Sequence, residues 1–237
     1  MSQYVKVTVQ GEPEKEIETK TTVAAVVPSA DKAGRPVLGA IVNNMVVPLV
    51  TPLICDAEVE PITVTSPYGF DVYRSSLTFL LAKCAAKLFP RRAFRVHNSI
   101  GPALYCTVDL EDSSPANVAK AVAALRAELD ALVARNAPIT TEAFSYKGAI
   151  DIFGKLGRLD ELHLLKHRNP PVVLLSKCED FYALNQVTLA AKTGALALYD
   201  LIPYEDGFIL NVPSPESPDA LAPLPPVEPY FKVFKEH

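Results

Sequence analysis

The sequence predicts an α+β fold in two units, and three observations predict it. Strand-like alternation opens the chain, with Val5, Val7 and Val9 separated by Lys6, Thr8 and Gln10. Two long apolar stripes at three- and four-residue steps follow, in Phe70–Leu88 and in the segment from Pro115 to Leu132. The elements then run β, α, β, β, α, β, α, β, β, β, which is not the regular alternation of a parallel doubly wound sheet. At 237 residues and 49% hydrophobic, the chain can bury a substantial core without staples.

Residues 1–66 read as the first, smaller unit. After the opening strand, Gly11 to Lys15 supply turn chemistry and Ile17 sits in a short second strand. Thr21 and Thr22 offer hydroxyls to cap a short helix ending at Val27. Leu38–Asn43 and Pro61–Val64 read as further strands. A hairpin, a short helix and returning strands make a β-grasp-like arrangement. Ser66, Pro67 and Gly69 mark the boundary.

Residues 67–212 form the second unit. In its first helix Tyr73, Leu77, Leu80, Leu81, Cys84 and Leu88 share one face, and Pro90 ends it. Strands are expected at Ala93–Val96 and Ala103–Leu110, around a Ser99–Pro102 turn. The clearest helix has Ser114 as N-cap, Pro115 in its first turn and an apolar face of Val118, Val122, Leu125, Leu129 and Leu132. Ile139–Ser145 reads as a strand, and Ser145 caps a helix running to Leu156. A short helix, Leu159–Lys166, precedes strands at Val172–Leu175, Ala195–Leu201 and Phe208–Val212. Residues 213–237 are proline-rich, expected to be extended and linker-like, and end in Tyr230, Phe231, Val233 and Phe234, expected to dock.

Charge and cysteine usage exclude several function classes. The formal charge of −4 gives no global basic field to draw the chain onto DNA. Cys55, Cys84, Cys106 and Cys178 never approach CxxC spacing, which argues against a zinc knuckle. Their spacing, and an N-terminus without an apolar signal core, suit a reducing cytoplasm. No apolar run is long enough to span a membrane.

The run YRSSLTFLLAKCAAKLFP, from Tyr73 to Pro90, resembles the helix that opens the editing domain of threonyl-tRNA synthetases, written HSTAHLL…ELFP. The opening VKVTVQG, then KTTVAAVV and AIVNNMVVPLVTPL, is similar to the TGS module of the same synthetases. Further blocks recur in the order found in uridine kinase-like (nucleoside kinase) proteins. They include RVHNSIGPALYCTVDL, DELHLLKHR, YDLIPYEDGFILNVPSPESP and PYFKVFKEH. The resemblance implies a TGS-like β-grasp domain followed by an editing-like α+β domain. It also implies a longer protein in which a kinase domain, absent here, would phosphorylate a nucleoside with ATP and magnesium. No cofactor is expected in this segment. A Walker A loop needs GxxxxGK[ST]; Gly148 to Leu156 is one residue too long and ends in leucine.

The editing chemistry implied by the resemblance is missing from the sequence. Ser75 and Phe79 occupy the places of the family's helical histidine pair, and Asn185 and Leu189 those of its downstream cysteine and histidine. None of these titrates near neutrality, so no catalytic residue is assigned and none of the four is a base for ester hydrolysis. His97, Asn98, Cys178, Asp180 and Thr193 are candidate cleft ligands, with Ser75 and Asn185 able to hydrogen-bond a small nucleoside-like molecule. Lys83, Lys87, Arg91, Arg92 and Arg95 cluster as candidate phosphate contacts. No metal ligand set is expected: His163 and His167 are four apart on a solvated helix with no third ligand. The leading reading is a non-catalytic regulatory or binding module whose partner is the kinase domain of the same longer protein. The alternatives are a trans-editing aminoacyl-tRNA deacylase and a tRNA-binding protein.

Overall fold

The structure is a computed structural model that describes residues 4–168, 170–221 and 223–224. The first sheet holds β1 (Tyr4–Val9), β2 (Lys15–Glu18), β3 (Gly39–Val42), β4 (Met45–Val47) and β5 (Ala57–Ile62), in the order β2-β1-β5-β3-β4. The central β1–β5 pair is parallel and the other pairs are antiparallel. Val5, Val7 and Val9 bury against Val23, Ala57 and Val59, as the alternation requires. Asn43 and Asn44 both take positive φ and close a two-residue hairpin into β4, a strand the sequence reading missed. β5 begins four residues before the expected Pro61, because Ala57 and Val59 face inward while Glu58 and Glu60 face water. The short helix α1 (Val23–Val26) forms, but Thr22 makes no side-chain cap bond.

The second unit is built on α2 (Pro67–Leu88). Ser66 caps it by accepting from the Gly69 N–H at 3.1 Å. Gly69 is required there, since a Cβ would lie 1.8 Å from the Thr63 carbonyl oxygen. The predicted stripe is buried and packs on α3 (Pro115–Ala134). Ser114 makes no side-chain cap bond; its own N–H and the Asn117 side-chain amide are instead held by the Asp112 carboxylate, which steadies the turn into α3. Beneath the helices lie β6 (Phe94–Ile100), β7 (Ala103–Val108), β11 (Asp200–Tyr204) and β12 (Gly207–Asn211), ordered β11-β12-β7-β6. Leu104, Cys106, Phe208 and Leu210 face the helices; Ala103, Tyr105 and Ile209 face the other way.

A separate antiparallel sheet contains β8 (Ile139–Ser145), β9 (Val172–Cys178) and β10 (Phe181–Leu184), ordered β10-β9-β8. α4 (Tyr146–Leu156) and α5 (Leu159–Arg168) cover one face by packing Ala149, Phe153 and Leu165 on Val173 and Leu175. Ser145 caps α4 as expected, and left-handed Gly157 ends it. The strand expected at Ala195–Leu201 is instead a 3-10 turn, Thr193–Ala195, and a strand that starts only at Asp200. The Tyr73 hydroxyl explains the break: it donates to the Leu198 carbonyl and accepts from the Leu198 N–H, so that backbone cannot join a ladder.

The two units share apolar contacts, since Leu38, Ile62 and Val64 belong to the same core cluster as the α2 stripe. The expected linker character of residues 213–237 is corrected for its first part. Ser214 is buried, and Asp219 takes both arms of the Arg35 guanidinium at 2.7 Å each, tying this strap to the first unit. Leu224 packs on the outer face of the four-stranded sheet. Tyr230, Phe231, Val233 and Phe234 lie outside the described residues. Among the described residues no helix is long and apolar enough to cross a membrane.

Candidate functional site

An open cleft of about 480 Å³ lies between α2, the β6–β7 edge of the four-stranded sheet and the uncovered face of the three-stranded sheet. Such a volume falls in the usual range for small-ligand sites. From α2 come Arg74, Ser75, Thr78 and Phe79; from the strands come Phe94, Val96, Leu104, Ser176 and Ala183. Gln186, Val187 and Leu189 close it from the loop after β10. The buried Ser76 hydroxyl fixes that loop: it donates to the Val72 carbonyl at 2.6 Å and accepts from the Ala190 N–H at 2.8 Å. Phe79 leans on Phe181 with ring centroids 5.4 Å apart, so the cleft floor is aromatic. Arg74 stacks over Phe70 and pairs with Asp71.

Of the four positions inherited from the resemblance, Ser75, Phe79 and Leu189 line this cleft together. Asn185 does not line it; its amide donates to the Thr141 hydroxyl at 3.3 Å.

The candidate cleft ligands need correction. His97 sits on the opposite face of β6 from Val96, bonded to the Thr107 hydroxyl at 2.8 Å and tilted against the Tyr105 ring. A one-residue bulge between Val96 and Ser99 takes up Asn98, which is outside the lining too. Thr193 is fully buried, donating to the Leu132 carbonyl and accepting from the Ala137 N–H, so it clamps backbone rather than ligand. Cys178 is fully buried in the main core, and burial pushes its thiol up to about 11. Cys84 and Cys106 are raised the same way, to about 12, so none of the three supplies thiolate near neutrality. Asp180 points to solvent and pairs with Lys83 at 2.6 Å.

That pair also removes Lys83 from the phosphate candidates. Its side chain is 7% exposed, bound by Asp180 and by Glu179 at 3.1 Å, with Arg135 joining Glu179. Burial alone would lower the Lys83 ammonium, but the two carboxylates outweigh it and hold it above the ordinary value. The Lys83 bond holds Asp180 below the usual carboxylate range; Glu179 is also lowered, its burial outweighed by Lys83 and Arg135. Lys87 pairs with Glu128 at 2.7 Å on the α3 side. Arg91, Arg92 and Arg95 do share a surface, a second groove of about 530 Å³. Arg158, which the sequence reading did not single out, joins them there.

His163 and His167 are both exposed on α5. Among the described residues no group of three or more His, Cys, Asp or Glu side chains is placed to hold a metal ion. Sequence reasoning missed Ser176, Gln186 and Arg74 as cleft residues. A serine interrupting the apolar run of β9 was the one signal available for Ser176.

The fold and cleft define a mixed α+β body with an open, largely apolar cleft of small-ligand size. Comparison with known proteins places relatives beside it. The chain is 31% identical to the threonine–tRNA ligase of Syntrophotalea carbinolica over 173 residues, 70% of this chain and 26% of the ligase. It is 26% identical over 163 residues to that of Desulforamulus reducens, and 24% over 167 residues to that of Aquifex aeolicus. These cover 68% of this chain in each case and 25% of each ligase. The chain is thus related, at modest identity, to threonyl-tRNA synthetases, and spans about a quarter of the length of the relatives it matches. No family model matches it.

Proposed function

We propose that this chain is a tRNA-binding module on the scaffold of a synthetase editing domain, taking the acceptor end of tRNA without hydrolysing the ester it carries. The observation that carries the reading is the lining of the cleft. Arg74 is the one ionisable side chain among the residues around it; the rest are apolar, hydroxyl or amide groups. Hydrolysis of an aminoacyl ester needs a positioned base or an activated water. Ser75, Phe79 and Leu189 supply neither, while an aromatic floor and nearby hydroxyls suit a nucleoside.

The same proposal takes residues 1–66 as a TGS-like β-grasp module. The sheet order β2-β1-β5-β3-β4 with a parallel central pair supports it. A setting beside a nucleoside kinase, with ATP and magnesium used there, rests on the residue blocks alone. The relatives named above are synthetases, which favours the tRNA setting.

The test uses the full chain with a mischarged tRNA, measuring binding across a salt series and release of amino acid. The expected result is affinity that falls with salt and release no faster than without protein. Release above background would overturn the non-hydrolytic reading, and absent binding at low salt would overturn the tRNA reading.

A further inference from the structure

We propose that the arginine-lined groove at the end of α2 is a binding site for a single-stranded RNA backbone, and that it feeds the apolar cleft. The proposal rests on the tRNA reading and assigns the path the strand takes.

Two observations carry it. The first is the groove's charge. Arg91, Arg92, Arg95 and Arg158 line it together with Asp160 and Glu161, and the carboxylates that pair with Arg92 and Arg95 lie outside the lining. Arg91 has no hydrogen bond or ion pair among the described residues. Its left-handed backbone, φ 68°, sits just past the helix end at the Pro90 turn. Arg92 pairs with Glu111 and Arg95 with Asp109 at 2.6 Å, but these pairs lie in water. Exposed ion pairs are weak and exchangeable, so a phosphate can replace either carboxylate. Arg158 is held more firmly, by Glu161 and over the Phe181 ring at 4.8 Å, and forms a fixed wall.

The second observation is continuity. Ala82 and Phe94 line both the arginine groove and the apolar cleft, so the two meet across one short wall. Phe181 bridges them from below, touching Phe79 in the cleft and Arg158 at the groove. A path that is cationic at one end and aromatic and apolar at the other matches a strand end: phosphates on the arginines, the last nucleoside on the rings. Double-stranded RNA presents no free base to the cleft and does not fit this arrangement.

The experiment is a fluorescence-anisotropy titration of the full chain with deacylated tRNA over a range of salt concentrations. Arg91→Glu is expected to weaken binding at least tenfold. Arg95→Ala is expected to weaken it several-fold and to lower the slope of log affinity against log salt by about 0.7. Lys87→Ala, the same charge in the last turn of α2 but outside the groove, should change neither. Removing the single-stranded 3′ extension of the tRNA should cost as much as Arg91→Glu. Thermal melts of each variant verify that the fold is intact. If the wild-type chain binds tRNA but Arg91→Glu and Arg95→Ala leave affinity and slope unchanged, the groove assignment fails while the tRNA reading stands. If the shortened tRNA binds as well as the intact one, the feed into the cleft is wrong. Absent binding of any tRNA at low salt removes both.

Discussion

The two faces of α2 differ in kind. One, formed by Tyr73, Leu77, Leu80, Leu81 and Cys84, is buried against α3 and the four-stranded sheet and has no freedom to change. The other, formed by Arg74, Ser75, Thr78 and Ala82, borders an open cleft, where a side chain can alter in size and chemistry at little cost. Phe79 lies between, nearly buried yet part of the cleft floor. The lesson is that shape and reactivity are separable in this scaffold. The packed face keeps the cleft's walls in place whatever groups the open face presents.

Three variants sharpen or break that contrast. The largest effect is expected from Leu80→Ala on the packed face. Leu80 is 0% exposed, and truncating it should cost roughly 3 kcal/mol in a denaturant titration. A cost below about 1 kcal/mol would mean that the face is not close-packed.

A middle effect is expected at Lys83, the one charged side chain of α2 that is buried. Glu179→Gln combined with Asp180→Asn strands its ammonium, at a cost of about 2 kcal/mol. That is less than for a wholly buried charge, because the carboxylates removed are solvent-facing. The pH dependence has a fixed sign. Both carboxylates are held below their ordinary values of 3.8 and 4.5. Their contribution is therefore full above those values and is lost as pH falls through the lower folded-state values. Lys83 is raised above 10.5, so its contribution is lost only at high pH. The double variant should show a smaller drop in denaturation midpoint between about pH 7 and pH 3 than the wild-type chain.

The smallest effect is expected from Ser75→His on the open face. Stability should change by less than about 0.5 kcal/mol, measured by thermal melting. A large loss would show the cleft to be as tightly packed as the face behind it.

Much of this was legible in the sequence. The stripes of α2 and α3 and the Ser145 cap each reflect local chemistry that a short window contains, although α2 begins at Pro67, three residues before the expected Phe70. What failed depended on distant partners. Lys83 reads as a surface lysine because Asp180, which binds it, is 97 residues away. His97 and Asn98 read as cleft residues because nothing local reveals that Val96 faces the cleft, which turns His97 away, or that a bulge takes up Asn98. β10 was missed because four residues after a left-handed Glu179 carry too little alternation. The cleft's α2 wall followed from the resemblance, while Ser176 and Gln186 reach it only through sheet pairing and loop path.

The clasp between Arg35 and Asp219 joins positions 184 apart. Closing so long a loop carries an entropic cost that local contacts do not, so this contact forms once the chain between is already in place. Its Asp219 partner stands in water, and an exposed ion pair is weak and readily exchanged. The seam near Pro36 and Pro218 can then breathe while the helices behind it stay folded.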